Sequence, residues 1–467
     1  MKLSFLGAAK TVTGSKYLLE YEDKKYLIDC GLFQGLKELR LRNWQPFPVE
    51  PSTIESVILT HAHIDHSGYL PILVKQGFRG TIFATKATFD LCKILLPDSG
   101  RIQEEDARNA NRKGYSKHKP ALPLYTESDA FEALKKFKSF SYDEEIELSP
   151  SLSFHYTRAG HILGSSFVTI KSKTKTIVFS GDIGRLNDPL MKPPESIHHA
   201  DFLVLESTYG SRLHPKIDVK EKLASLINKT LAAKGSIIIP AFAVGRAQTL
   251  LYLIHKLKLE KLIPDYVPVY LDSPMAQNAT DLLCKYSNEH NLTHRQSHAV
   301  SNCAKYTQTP EESKKINQNP IPSIIISASG MVEGGRVLYH IKFYGSKPEN
   351  LILFVGFQAK GTRGDTILKG GREVKIHGEM IPIRAKAEML DSLSSHADSE
   401  EILTWLKKFS KAPQKVFLTH GEPEAIMDLK TKIKQTLSWD VYVPSYLETF
   451  TIDESTDEKK ESIQNPN

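Results

Sequence analysis

Apolar and polar positions along this chain change period several times, and each change predicts an element. Residues 1–30 alternate in twos: Lys2–Ala8, Tyr17–Tyr21 and Lys24–Cys30, separated by polar turns, predict a meander of strands. The apolar, β-branched run Ser56–Thr60 predicts a buried strand. Helical spacing from Ser67 to Gln76, ending at Gly77, predicts a helix directly after it. A strand over Thr81–Thr85 leads into a helix from Lys86. Residues 100–120 read as a polar loop carrying Lys113, Lys117, His118 and Lys119, either solvated or touching substrate. Strand pattern returns at Ser151–Thr157, Ser166–Ile170, Thr176–Ser180 and Phe202–Glu206.

After Glu206 short apolar strands alternate with helices. Ser236–Pro240 precedes Gly245–Leu257, Val267–Leu271 precedes Met275–Tyr286, and Ser323–Ser327 precedes Gly335–Tyr339, with a further apolar run at Leu351–Val355. That texture predicts a parallel α/β sheet. From about Ala387 the first texture resumes, with Glu388–Asp391, a helix near Glu400–Phe409 and a strand over Lys415–Thr419. The tail after about Ile452 is polar and is expected to be disordered. No repeat of solenoid period and no low-complexity linker interrupts the chain.

Composition narrows the class. A chain of 467 residues predicts two or three domains, and 40% hydrophobic with 25% charged content is that of an ordinary soluble protein. No apolar run approaches the ~20 residues of a membrane helix. Met1–Gly7 resembles a strand more than a signal peptide. Cys30, Cys92, Cys284 and Cys303 are scattered, which argues for a reducing, cytoplasmic compartment and against thiolate metal sites. Net charge is +7, and because the tail from Asp453 holds five acids and two lysines the rest carries +10. A moderate basic excess favours a polyanionic partner.

The densest chemistry lies at His61-Ala62-His63-Ile64-Asp65-His66-Ser67-Gly68, on the expected strand-to-helix turn. Side chains two apart in extended backbone point the same way, so His61 and His63 can share one ion. Asp65 and His66 lie where the chain turns and can face a second. Four more strand ends carry polar groups: His161 in Arg158–Ser165, Asp182 between Gly181 and Gly184, His396 in Ser394–Asp398, and His420 in Leu418–Glu422. Together they complete a ligand set for two ions. Imidazole and carboxylate without thiolate suit zinc, and manganese remains open. Such a pair can share a hydroxide and drive an in-line displacement at phosphorus.

These residues resemble the ligand signature of the metallo-β-lactamase fold, with Asp29 in Ile28–Gly31 similar to its first motif. Glu206 in Leu205–Gly210, His396 in Ser395–Asp398 and His420 in Thr419–Glu422 resemble the further motifs of the β-CASP branch, which acts on nucleic acids. Pro240–Gln248, Ser327–Met331 and Gly356–Thr362 extend the resemblance over nearly the whole chain. It is similar to bacterial ribonucleases related to the cleavage subunit of eukaryotic mRNA 3′-end processing.

The resemblance implies an α/β fold: an αββα sandwich from residues 1–206 and 387–452, with a β-CASP domain inserted over 207–386 and a tail over 453–467. It implies one zinc on His61, His63 and His161, a second on Asp65, His66 and His420, and Asp182 bridging. It implies hydrolysis of RNA by a shared hydroxide that Asp65 orients or deprotonates. His396 would be the general acid and Glu206 would hold it. Asp29 would orient the ligand loop rather than bind metal.

Arg246, Ser329, Gly330, Arg336 and Lys360 are candidate phosphate contacts, although Arg336 and Arg246 would equally suit salt bridges and Lys360 open solvent. The implied partner is single-stranded RNA, with no membrane and a homodimer as the family's precedent. Endonuclease action is expected, and an archaeal-type N-terminal RNA-binding extension is not expected. A DNA-acting or 5′-exonucleolytic nuclease, a small-molecule hydrolase and a non-catalytic processing scaffold are the alternatives.

Overall fold

The computed structural model describes residues 1–114, 116–215, 218–356, 358–359, 361–390 and 393–453. Two seven-stranded sheets pack face to face. The first runs, from edge to edge, through Thr449–Thr451, Lys2–Phe5, Tyr17–Tyr21, Lys24–Ile28, Ile54–Ile58, Thr81–Thr85 and Phe137–Phe140. The second runs through Val441–Tyr442, Lys415–Thr419, Phe202–Glu206, Thr176–Phe179, Ser166–Ser172, Leu152–Arg158 and Ile146–Ser149. Their inner faces meet in a core built on Phe5, Phe154, Phe179, Val204 and Phe417. Helices cover the outer faces, with Trp405 and Leu429 packing on the second sheet. The fold is therefore α/β, an αββα sandwich.

Between Phe202–Glu206 and Lys415–Thr419, which pair in parallel, the chain leaves the sandwich. It builds a six-stranded sheet in the order Lys305–Tyr306, Val269–Asp272, Ile324–Ser327, Ile237–Pro240, Leu351–Phe354 and Lys386–Met389. Every pairing within it is parallel, as alternating strands and helices require. Strand Lys386–Met389 carries the residues read from sequence as the return to the sandwich; it pairs instead with Leu351–Phe354 at the edge of this sheet. Asp391, which ended that sequence segment, lies outside the described residues, as do residues 454–467 of the tail.

Two helical expectations change. The stretch Ser67–Gln76 forms two short helices, Ile64–Ser67 and Leu70–Lys75, because Pro71 starts a new first turn. Residues 100–113 are not loop. They finish a 28-residue helix, Lys86–Lys113, that Thr85 Oγ1 caps by accepting from Thr88 N–H. Its polar half is supported along its own surface by Arg101 pairing with Asp98 and Glu105. Lys117, His118 and Lys119 follow in an exposed turn.

Candidate metal centre and cleft

Ligand-bearing turns leave neighbouring strands at one end of the sandwich. Asp29 follows Lys24–Ile28 with φ of 57° and reaches across to the next strand. Its Oδ1 accepts Thr60 N–H at 2.8 Å; its Oδ2 accepts the Thr60 hydroxyl at 2.9 Å and His66 Nδ1–H at 2.7 Å. These bonds orient His66 so that Nε2 faces inward. The turn packs so closely that a Cβ on Gly31 would fall 1.5 Å from the Asp65 carbonyl oxygen. From the second sheet, Ser165 Oγ accepts His161 N–H at 2.8 Å and Ile162 N–H at 3.2 Å, which shapes the His161 turn.

Side chains from distant segments converge here. His63 Nδ1 lies 3.1 Å from His61 Nε2 and 3.3 Å from His161 Nε2. Asp182 Oδ2 lies 3.4 and 3.5 Å from those same Nε2 atoms. In a second group His66 Nε2 lies 3.2 Å from His420 Nε2, which lies 3.3 Å from Asp65 Oδ2. Asp182 Oδ1 is 3.3 Å from His66 Nε2, so one carboxylate gives an oxygen to each group. Spacings of this size are the edges of a tetrahedron with bonds of ~2.0–2.1 Å around zinc.

The donor chemistry fits a cation. Burial lowers the protonation range of His61 and His161 and brings His63 down to about 3, so neutral nitrogens face one another. Asp182 Oδ1 is buried and accepts no hydrogen bond among the described residues. Burial alone would raise Asp182, but the imidazoles around it, His420 and His66 foremost, hold it well below the carboxylate range. Around His61, His63, His161 and Asp182 acceptors gather without donors, and a bound cation relieves such a gathering.

His396 stands beside these groups. Its Nδ1–H donates to Glu206 Oε2 at 3.1 Å, and its Nε2 lies 3.9 Å from Asp182 Oδ2. Glu206 is itself fixed by Ile183 N–H, which donates to Oε1 at 2.6 Å. Burial would lower His396, but the Glu206 and Asp182 carboxylates outweigh it and raise it to about 9.

Three neighbours escaped the sequence reading. Thr208 Oγ1 bonds His420 Nδ1 at 3.0 Å, leaving Nε2 toward Asp65. The Tyr209 ring stacks on His396 with centroids 6.0 Å apart. His214 Nε2–H donates to the His396 carbonyl at 2.9 Å. Thr208 and Tyr209 stand beside Glu206 in sequence, which was a usable signal; isolated His214 offered none.

The phosphate candidates scatter in use. Arg336 Nη1 pairs with Asp272 Oδ1 at 2.7 Å and Nη2 donates to the Gln308 carbonyl, so its charge is spent inside the inserted domain. Ser329 Oγ accepts Glu333 and Gly334 N–H and shapes its own turn. Gly330 packs under the Phe242 ring. Arg246 begins the helix Arg246–Leu259, with Nε buried and unpartnered among the described residues. Lys360 lies outside the described residues.

Comparison with known proteins agrees with this architecture. Residues 18–200 match the metallo-β-lactamase superfamily domain, 247–367 the Beta-Casp domain, and 380–444 the Zn-dependent metallo-hydrolase RNA specificity domain. Ribonuclease TTHA0252 of Thermus thermophilus is 36% identical, covering 92% of this chain and 95% of its own. Transcription termination factor FttA of Methanosarcina mazei is 31% identical over 96% of this chain and 71% of its own. An RNase J-like protein of Methanocaldococcus jannaschii is 30% identical over 95% and 97%. A crystal structure of an Enterococcus faecalis protein of unknown function matches with a TM-score of 0.54 at 14% identity, over 97% of this chain and 99% of that one, a likeness of fold alone.

Proposed function

The chain belongs to the β-CASP family of metallo-β-lactamase-fold, metal-dependent hydrolases, and on that premise we propose that it is a ribonuclease cleaving single-stranded RNA internally with two zinc ions. The observation that carries this reading is the division of Asp182 between two donor groups, His61, His63 and His161 on one side and Asp65, His66 and His420 on the other. When bound, two cations would supply a nucleophilic water at neutral pH and offset charge on the phosphoryl oxygens. Manganese suits the same donors less closely than zinc.

The chain's own residues would do the rest. Asp65, the ligand carboxylate whose side chain keeps 19% exposure, orients the attacking water and accepts its proton. His396 delivers a proton from Nε2 to the leaving 3′-oxygen, and Glu206 keeps that ring charged and aimed through Nδ1. Thr208 and Asp29 set the tautomers of His420 and His66. A basic body attracts the polyanion, and the inserted domain supplies the second wall of a cleft.

The test is metal quantification of purified protein together with cleavage of end-labelled linear and circular RNA. About two zinc ions per chain, opening of the circle, and loss of both cleavages in chelator are expected. Cleavage of linear RNA alone would reject the endonucleolytic part, and protein that carries zinc but leaves RNA intact would reject the activity.

A further inference from the structure

Phe242 stands just beyond the strand Ile237–Pro240 with 40% of its surface exposed, although the residues on either side of it, Ala241 and Ala243, are buried. An aromatic ring left open in this way forgoes hydrophobic stabilisation until something covers it. Its surroundings are shaped to leave it open. A Cβ on Gly330 would fall 2.9 Å from Phe242 Cδ2, so no larger residue fits under the ring. A Cβ on Gly356 would lie 4.0 Å from Phe242 Cε2 and 3.9 Å from Arg246 Nε, so ring and guanidinium both border the side of Gly356 that carries no side chain. Gln358 Nε2 donates to both the Gly330 and the Gly356 carbonyl at 3.0 Å and ties the two glycines together.

The turn that carries Phe242 and Arg246 approaches the metal centre. Gly245, three residues along the same turn, would place a Cβ 3.0 Å from Ile162 Cγ2, and Ile162 follows His161. Arg246 Nε is buried without a hydrogen-bond partner among the described residues. A buried cationic donor left unpaired is costly, and an anionic oxygen relieves it.

Resting on the ribonuclease reading above, we propose that Phe242, Gly330, Gly356 and Arg246 form a nucleotide subsite, in which the Phe242 ring stacks on one base of the RNA and Arg246 holds the adjoining phosphate. The flat face accepts any base, so the subsite contributes affinity and register with little sequence choice. It explains why a ring is exposed beside a cation and between glycines, an arrangement that core packing does not need.

The experiment uses the zinc-loaded full chain and an oligoribonucleotide cut at one place. Phe242→Ala and Phe242→Leu should raise KM roughly tenfold, the scale of losing one stacked base, with a smaller change in kcat, while Phe242→Trp keeps the wild-type KM. Abasic residues placed one at a time should reveal one position where wild-type KM rises by a similar factor. Phe242→Ala should be insensitive at that position, because the two changes remove the same contact. If wild-type protein cuts RNA, yet Phe242→Ala and every abasic substrate keep the wild-type KM, the subsite is overturned and the hydrolytic reading stands. If wild-type protein cuts no RNA, the hydrolytic reading fails. Fluorescence anisotropy of labelled RNA then decides the subsite: weaker binding by Phe242→Ala but not Phe242→Trp supports it, and equal binding by all three overturns it.

Discussion

In the sandwich His61, His63, His161 and Asp182 turn acceptor atoms toward one another, whereas in the inserted sheet Asp272 is ringed by donors. Arg336 Nη1 and His340 Nε2 reach Asp272 at 2.7 Å, Ser313 Oγ at 2.5 Å, and the Thr307 hydroxyl also donates to it. Both clusters are buried, polar and set at the ends of strands. In the first, acceptors outnumber donors and a cation completes the set. In the second the count balances, and the network braces the turns that follow the strands. An open set of acceptors can take up a ligand, whereas a closed one serves as scaffold. Arg246 keeps a buried Nε without a hydrogen-bond partner among the described residues, whereas Arg336 is paired with Asp272.

The contrast can be broken at several points. The largest effect should come from Asp182→Ala, which removes the one carboxylate common to both donor groups. Bound zinc should fall and RNA cleavage should drop on the order of a thousandfold, the rate equivalent of several kcal/mol; an unaltered zinc content would remove Asp182 from the centre. His396→Ala should lower kcat by roughly 10²–10⁴-fold while metal analysis stays at the wild-type ratio, since His396 lies outside both ligand groups. Undiminished turnover would end its role as proton donor.

The two arginines sharpen the contrast further. Arg336→Ala should destabilise the protein by about 2–3 kcal/mol in urea unfolding, because Asp272 keeps its other donors but loses a charged one. Arg246→Ala should leave that midpoint in place, weaken RNA binding, and reduce the salt slope by about one counterion. If the two variants exchanged behaviours, the distinction between closed and open networks would be lost.

The smallest effect concerns the seam between the domains, where Asp90 of the sandwich meets Lys285 and Tyr286 of the insertion at 2.7 Å. Burial would raise Asp90, but Lys285, Lys93 and Tyr286 outweigh it and bring it down to about 2. A depressed carboxylate stabilises above its unfolded pKa near 4, and that contribution is lost as pH falls from about 4 to about 2. Thermal melts of wild type and Lys285→Met should differ by about 1 kcal/mol or less at pH 6 and converge near pH 2.

Much of the sandwich was legible because burial on a sheet leaves a local trace. Phe202–Glu206 and Lys415–Thr419 form strands with the bounds their apolar runs suggest. Lys386–Met389 was harder: as an edge strand it alternates weakly, and only its pairing with Leu351–Phe354 tells which sheet owns it. The end of the helix Lys86–Lys113 was missed because charged residues on a solvent-facing helix read like a loop; Ala110 is the buried contact far along it.

The sequence alone determined which atoms could bind a metal and roughly where strands and helices lie, since ligand chemistry admits few side chains and periodicity is written residue by residue. The tertiary structure decided which charges are already spent. Arg246 and Arg336 look alike in the chain, and only folding sets Asp272 beside one and leaves the other's Nε buried without a partner among the described residues. The physical reason is that a hydrogen bond is satisfied by whatever neighbour the fold supplies, and that neighbour lies 64 residues away for Arg336.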